Sequence, residues 1–83
     1  MTEIEVLAFI DTFFTPYYRN EPEDIAEMFT VFVNTLDFER VVSAEMEEID
    51  WDEYVLTVTF ETGRTWKLKM NRDEVWYFGG ILV

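Results

Sequence analysis

The sequence contains no cysteine and no histidine. Without thiols there is neither a disulfide nor a thiolate metal site. Without imidazole the commonest general base and the commonest transition-metal ligand are missing. Glycine is scarce, three residues in all, and no Gly-rich phosphate loop is present. Basic residues are also few: six Lys and Arg against eighteen acids, a net charge of -12. Clustered Lys and Arg are what DNA, RNA and anionic membranes require, so direct binding to any of them is not expected. No apolar run approaches the ~18 residues of a membrane span. The first residues, Met1 to Glu5, carry acids instead of the basic start of a signal peptide. A cytoplasmic protein is expected (in the host cell cytoplasm if a phage encodes it).

What is present suffices for a core. Hydrophobic residues make up 49% of the chain, too many for a disordered acidic tail. Aromatics reach 18%, and each buries a large area, which helps a short chain. At 83 residues one domain, 1–83, is expected, with no linker, repeat or low-complexity tract.

Two helices come first. Thr2-x-x-Glu5 is a capping box, in which each side chain satisfies a free amide at a helix start. Val6, Phe9, Ile10, Phe13 and Tyr17 follow at helical spacing, widened by Ile4, Leu7 and Phe14. Pro16 sets the end near Thr15. Asn20 reads as the second cap, with Pro22 in the first turn. Ile25, Met28, Phe29, Phe32 and Leu36 mark one face of a helix ending near Asn34.

The rest reads as β. Residues 38–49 fit either a helix capped by Asp37 or a strand, and the strand is preferred because the following β segment needs a partner. In the strand reading Val42, Ala44 and Met46 share one face, and Val41, Ser43, Glu45 and Glu47 the other. Tyr54, Leu56, Val58 and Phe60 then alternate with Val55, Thr57 and Thr59. Trp66, Leu68 and Met70 alternate with Lys67 and Lys69. A three-residue loop, Thr62-Gly63-Arg64, places Phe60 opposite Trp66, Val58 opposite Leu68 and Leu56 opposite Met70. Asn71-Arg72-Asp73 reads as a further turn, and Val75 to Phe78 as a last strand loosened by Gly79-Gly80. The expected class is α+β: two N-terminal helices packed on a three- to four-stranded antiparallel β-meander. The helices should cover the face carrying Leu56, Phe60, Trp66 and Leu68.

Charge is unevenly spread. Through Glu61 there are sixteen acids and two bases; from Thr62 there are two acids and four bases. The densest run is Glu45, Glu47, Glu48, Asp50, Asp52 and Glu53, with Trp51 and Tyr54 inside or beside it. A second cluster is Glu21, Glu23, Asp24 and Glu27, which the positive end of the helix dipole explains locally. The first run has no such local cause. It could be a solvated face, the plain reading of any charge run. It could also be a fixed array of carboxylates steered to a basic partner. Trp51 and Tyr54 would then anchor the contact, although Tyr54 also continues the inward face of its strand. Arg64, Lys67, Lys69 and Arg72 read as offsetting the acidic strand through cross-strand pairs, or as blunting an edge strand.

Other chemistry fits less well. Asp50, Asp52 and Glu53 offer oxygen ligands, but lack the glycine and the distant bidentate Glu of an EF-hand loop. Paired carboxylates can do acid–base work, yet a chain this short leaves little room for a cleft. No enzyme, no metal and no cofactor are expected.

The residues carry no family motif. In size, charge and lack of catalytic residues the chain resembles a functional class: small acidic inhibitors of phages and mobile elements, DNA mimics that block restriction, CRISPR or DNA-repair proteins. Immunity proteins against basic nuclease toxins look similar. The resemblance implies a stoichiometric inhibitor whose partner is a basic protein, a nucleic-acid-binding effector or a nuclease. The alternative is a non-enzymatic housekeeping interaction domain, with a homodimer through exposed aromatics as one form of it.

Overall fold

The computed structural model describes residues 1–14, 21–72 and 76–82, with backbone alone at 11–14, 77 and 82. Two helices, α1 (Glu3–Phe14) and α2 (Pro22–Asn34), precede four strands: β1 (Val41–Glu48), β2 (Glu53–Phe60), β3 (Thr65–Arg72) and β4 (Trp76–Leu82). The strands form one antiparallel meander in the order β1-β2-β3-β4. This is the expected α+β architecture, with four strands.

The capping box forms. Glu5 Oε1 accepts from the Thr2 backbone N–H at 3.0 Å, and Thr2 Oγ1 accepts from the Glu5 N–H at 3.2 Å. The N-cap of α2 is Glu21, not Asn20, and Pro22 is its first residue. Asn20 itself, like Thr15, Pro16 and Tyr17, lies outside the described residues.

One face of the sheet carries the core. Leu56, Val58, Phe60, Trp66, Leu68, Met70 and Trp76 bury against Val6 and Ile10 of α1 and Ile25, Ala26, Phe29 and Val33 of α2. α2 packs along β1, and α1 lies against β4. Among the residues of α1 whose side chains are described, the inward stripe is narrower than the apolar residues suggest. Ile4 and Phe9 are exposed, because a helix turns about 100° per residue and Val6 and Ile10 already define the inward line.

Three details of the sheet differ from the sequence reading. First, the β2–β3 register is two residues away from the expected one: Val58 faces Trp66, Leu56 faces Leu68 and Tyr54 faces Met70. The loop does have three residues, but they are Glu61-Thr62-Gly63. Phe60 N–H donates to the Arg64 carbonyl (2.8 Å), and Gly63 N–H to the Phe60 carbonyl (2.9 Å). In such a loop the last position is left-handed, and Gly63, at φ 93°, is the residue that takes it without strain. A one-residue shift of the loop moves the register by two, so every side chain keeps its face.

Second, Val41 is buried and Val42 exposed, the reverse of strict alternation with Ala44 and Met46. A bulge lies between Val41 and Ser43. The Asn34 side chain holds Val41 there: its Oδ1 accepts from the Val41 N–H (2.8 Å), and its Nδ2 donates to the Val41 carbonyl (3.3 Å). Third, Asn71 and Arg72 are paired strand residues of β3, opposite Tyr77 and Trp76, and not a turn. Across from them β4 does not stop at its glycines. It bulges, Lys69 facing Gly80 and Met70 facing Phe78, with Gly80 at φ 107°.

Candidate functional site

The acidic run occupies the end of the sheet where β1 turns into β2. Ile49 N–H donates to the Glu53 carbonyl (2.9 Å), and Glu53 N–H to the Asp50 carbonyl (3.3 Å), closing a tight turn. Asp50 Oδ1 accepts from the Trp51 N–H at 2.7 Å. Asp is favoured at the first position of such turns because its carboxylate can hold a following amide. The Trp51 ring is thereby displayed to solvent, 87% exposed, beside the half-exposed Ile49. The Arg72 N–H donates to the Asp52 carbonyl (2.8 Å) and ties the turn to the end of β3.

The side chains of the run divide between two faces. Glu45 and Glu47 lie on the face that carries no helix; Glu48, opposite Tyr54, lies on the helix side. None of Glu45, Glu47, Glu48, Asp50 and Asp52 has an ion-pair partner among the described residues. Glu53 differs: it meets Lys69 Nζ at 3.3 Å. Tyr54 is buried, its ring 5.0 Å from that of Trp76, so it is a core residue that seats the turn and not a surface anchor. No three acidic side chains among the described residues converge as cation ligands would, Asp50, Asp52 and Glu53 included.

The second acidic cluster is at the same end. Glu21 lies 4.0 Å from the guanidinium of Arg72, which also sits over the Trp76 ring. Glu23 and Glu27 stand along α2 and line an open groove of about 450 Å³ between α2 and β1. Its remaining walls are Ala26, Thr30, Ala44, Glu45 and Met46. One residue of the first run, Glu45, and two of the second cluster, Glu23 and Glu27, thus line one depression although Glu27 and Glu45 are 18 residues apart in sequence. Sequence reading missed the groove and its apolar lining. The available signal was that Glu23, Ala26, Glu27 and Thr30 share one face of α2 at three- and four-residue spacing.

The basic residues do not neutralise β1. Lys67 and Lys69 lie on β3, which is separated from β1 by β2, and β3 is an inner strand with no edge to blunt. Among the described residues, Lys69 reaches only Glu53 of the run and Arg72 reaches Glu21, while Arg64 acts at the other end of the sheet. Arg64 Nη1 meets Glu3 Oε2 (2.9 Å), and its Nε meets Glu39 Oε2 (2.9 Å). Thr62 Oγ1 also donates to Glu39. The Glu39 carboxyl is held below the ordinary Glu range, first by the Thr62 hydroxyl and then by Arg64, whose own pKa is raised. Glu5 is lowered too, chiefly by the Thr2 backbone N–H.

No helix among the described residues is long and apolar enough to cross a membrane. Compared with known proteins, the chain matches no family model, no curated protein and no solved structure.

Proposed function

We propose that this chain is a stoichiometric protein inhibitor that occupies the basic, nucleic-acid-binding surface of another protein. It would act as an acidic DNA mimic of the phage or mobile-element type, directed against restriction or CRISPR machinery. The observation that carries the reading is the unneutralised end of the sheet. Five carboxylates, Glu45, Glu47, Glu48, Asp50 and Asp52, have no cationic partner among the described residues, and Trp51 stands exposed among them.

Crowding like charge on a small body costs stability, and the chain has bases it could have spent there. Net charge of -12 also exceeds the magnitude of about 2–8 that solubility asks of a small domain. Duplex DNA shows one negative charge per ~1.7 Å of axis. Glu45 and Glu47, two apart on β1, are about 6.6 Å apart on one face, and the turn and α2 add charges at other heights. A channel built for phosphates would be met by fixed carboxylates, with long-range attraction raising the encounter rate. The Trp51 ring supplies apolar contact that charge alone does not.

The test is capture of a partner from host lysate at low and at high salt. The account expects a basic nucleic-acid-binding protein that is held at low salt and released at high salt. A nuclease toxin encoded beside this gene would mark the immunity-protein variant of the same chemistry. A partner held equally at both salt concentrations would contradict the proposal, as would a salt-insensitive homodimer with no affinity for basic proteins.

A further inference from the structure

We infer that the free edge of β1 takes up an extended basic segment of the partner as a fifth strand, with its Lys or Arg side chains seated in the groove beside α2. The inference rests on the reading that the partner is basic; it adds the backbone geometry by which that partner is held.

β1 is an outer strand of the sheet. Bonds at both ends of β2 fix which amides point outward. Phe60 N–H bonds Arg64 on the β3 side, and Glu53 bonds Ile49 on the β1 side. Antiparallel pairs alternate between bonded and non-bonded. The registers therefore turn the backbone groups of Ser43, Glu45 and Glu47 toward β2, and those of Ala44, Met46 and Glu48 away from the sheet. No partner for these three outward N–H and C=O pairs occurs among the described residues. The preceding outward pair, on Val41, is closed by the Asn34 side chain. The edge is thus stoppered at one point and open over the next three, which is a template for strand addition.

The groove beside this edge suits a particular side chain. Ala26, Ala44 and Met46 line it, and Glu23 and Glu27 of α2 provide its carboxylates. Lys and Arg lay apolar stems along such a floor and keep their charge at the rim. Spacing also agrees. Same-face side chains of an added strand repeat at about 6.6 Å, and Glu23 and Glu27, one helical turn apart, repeat at about 5–6 Å. A second copy of this chain is the wrong occupant. Antiparallel pairing of β1 with itself about Met46 sets Glu45 against Glu47 twice over, and like charges across strands destabilise a sheet.

The test uses a peptide of alternating Lys and Thr, about ten residues long, enough to cover β1 at about 3.3 Å per residue. Two companions carry backbone N-methyl groups, one on the Lys positions and one on the Thr positions, and one of these must block the edge-facing N–H groups. Binding is read by NMR titration together with amide hydrogen exchange. The expected result is that the plain peptide binds and slows exchange at Ala44, Met46 and Glu48. One N-methylated peptide should bind about tenfold or more weaker, the loss of one or two hydrogen bonds. Equal binding by all three peptides, with exchange at those residues unchanged, overturns strand addition and leaves the basic-partner reading standing. No binding by any of them overturns both. Ala44→Pro removes one outward N–H without touching the β1–β2 ladder, and should weaken the plain peptide about tenfold; an unchanged affinity in the folded variant counts against the proposal. If that variant does not fold, the N-methyl series decides the matter alone.

Discussion

The two ends of the sheet use the same residue types to opposite effect. At the end where β2 turns into β3, acids and bases are matched: Arg64 joins Glu3 at the start of α1 and Glu39 ahead of β1, and Thr62 completes the cluster. Three separate stretches of chain are stapled there. At the end where β1 turns into β2, the acids outnumber every available base, and the turn is held by backbone bonds and the Asp50 carboxylate instead. Tyr54 and Trp76 pack beneath it, so the turn is seated without ion pairs from Glu45, Glu47, Glu48, Asp50 or Asp52 among the described residues. Charge therefore serves the fold at the first end and is left over at the second. Left-over charge on a well-seated turn is what a binding surface requires, since the array is already ordered before the partner arrives.

This comparison can be broken by substitutions at either end. The largest effect is expected from neutralising the open end with Glu47→Gln, Glu48→Gln, Asp50→Asn and Asp52→Asn together. Affinity for the basic partner should fall by on the order of 100-fold or more, the scale of several lost charge contacts. The melting temperature should stay level or rise, because like-charge repulsion is relieved. A variant that loses stability instead would show that those acids support the fold.

Next comes Trp51→Ala. An exposed side chain of this kind changes stability by no more than about 0.5 kcal/mol. As an interface anchor its loss should weaken binding by about 2 kcal/mol, roughly 30-fold. Isothermal calorimetry beside thermal unfolding separates the two readouts. Arg64→Ala is the mirror experiment: it should lower the melting temperature and leave partner affinity unchanged, because the closed end faces away from the proposed contact.

The smallest effect is in pH. Glu39 and Glu5 titrate lower in the folded chain than in the unfolded one. Their contribution is complete above the unfolded Glu value of about 4.3, and is lost as pH falls through their lower folded values. Thermal unfolding of the wild type and Glu39→Gln should therefore differ at neutral pH, and the difference should shrink as the pH falls below the unfolded Glu value of about 4.3. A constant difference down to acid pH would mean that the Glu39 carboxylate is not the stabilising group.

Much of this was legible along the chain, and the exceptions share a cause. The capping box and the alternation of β2 and β3 are local patterns and formed as read; the inward face of α2 was read through Ile25 and Phe29 but is completed by Ala26 and Val33, with Met28 and Phe32 only partly buried. The register of β2 against β3 was also legible, but through Gly63: the left-handed position of a three-residue loop is its last, and placing the loop one residue too late moved every pair. Val41 and Val42 could not be sorted by alternation, because the bulge between them depends on Asn34 reaching across from α2. Likewise, that Lys69 reaches only Glu53 of the acidic run among the described residues, and no acid of β1, depends on the strand order, which places β2 between β3 and β1.

The site divides in the same way. The run from Glu45 to Glu53 is visible as composition, and Trp51 within it as an aromatic with no place in the core. That Glu23 and Glu27 rim the same groove as Glu45 depends on α2 lying along β1, which no local pattern states. Tyr54 had two readings, and strand alternation, the simpler one, prevailed.

The central claim is that the open end stands in for nucleic acid. The most direct measurement is competition for the captured basic protein between this chain and a fluorescently labelled DNA duplex. The account predicts mutual displacement, weakened by added salt and lost in the fourfold neutralised variant. Simultaneous binding of the duplex and this chain to the same protein, with no displacement at any salt concentration, would contradict it.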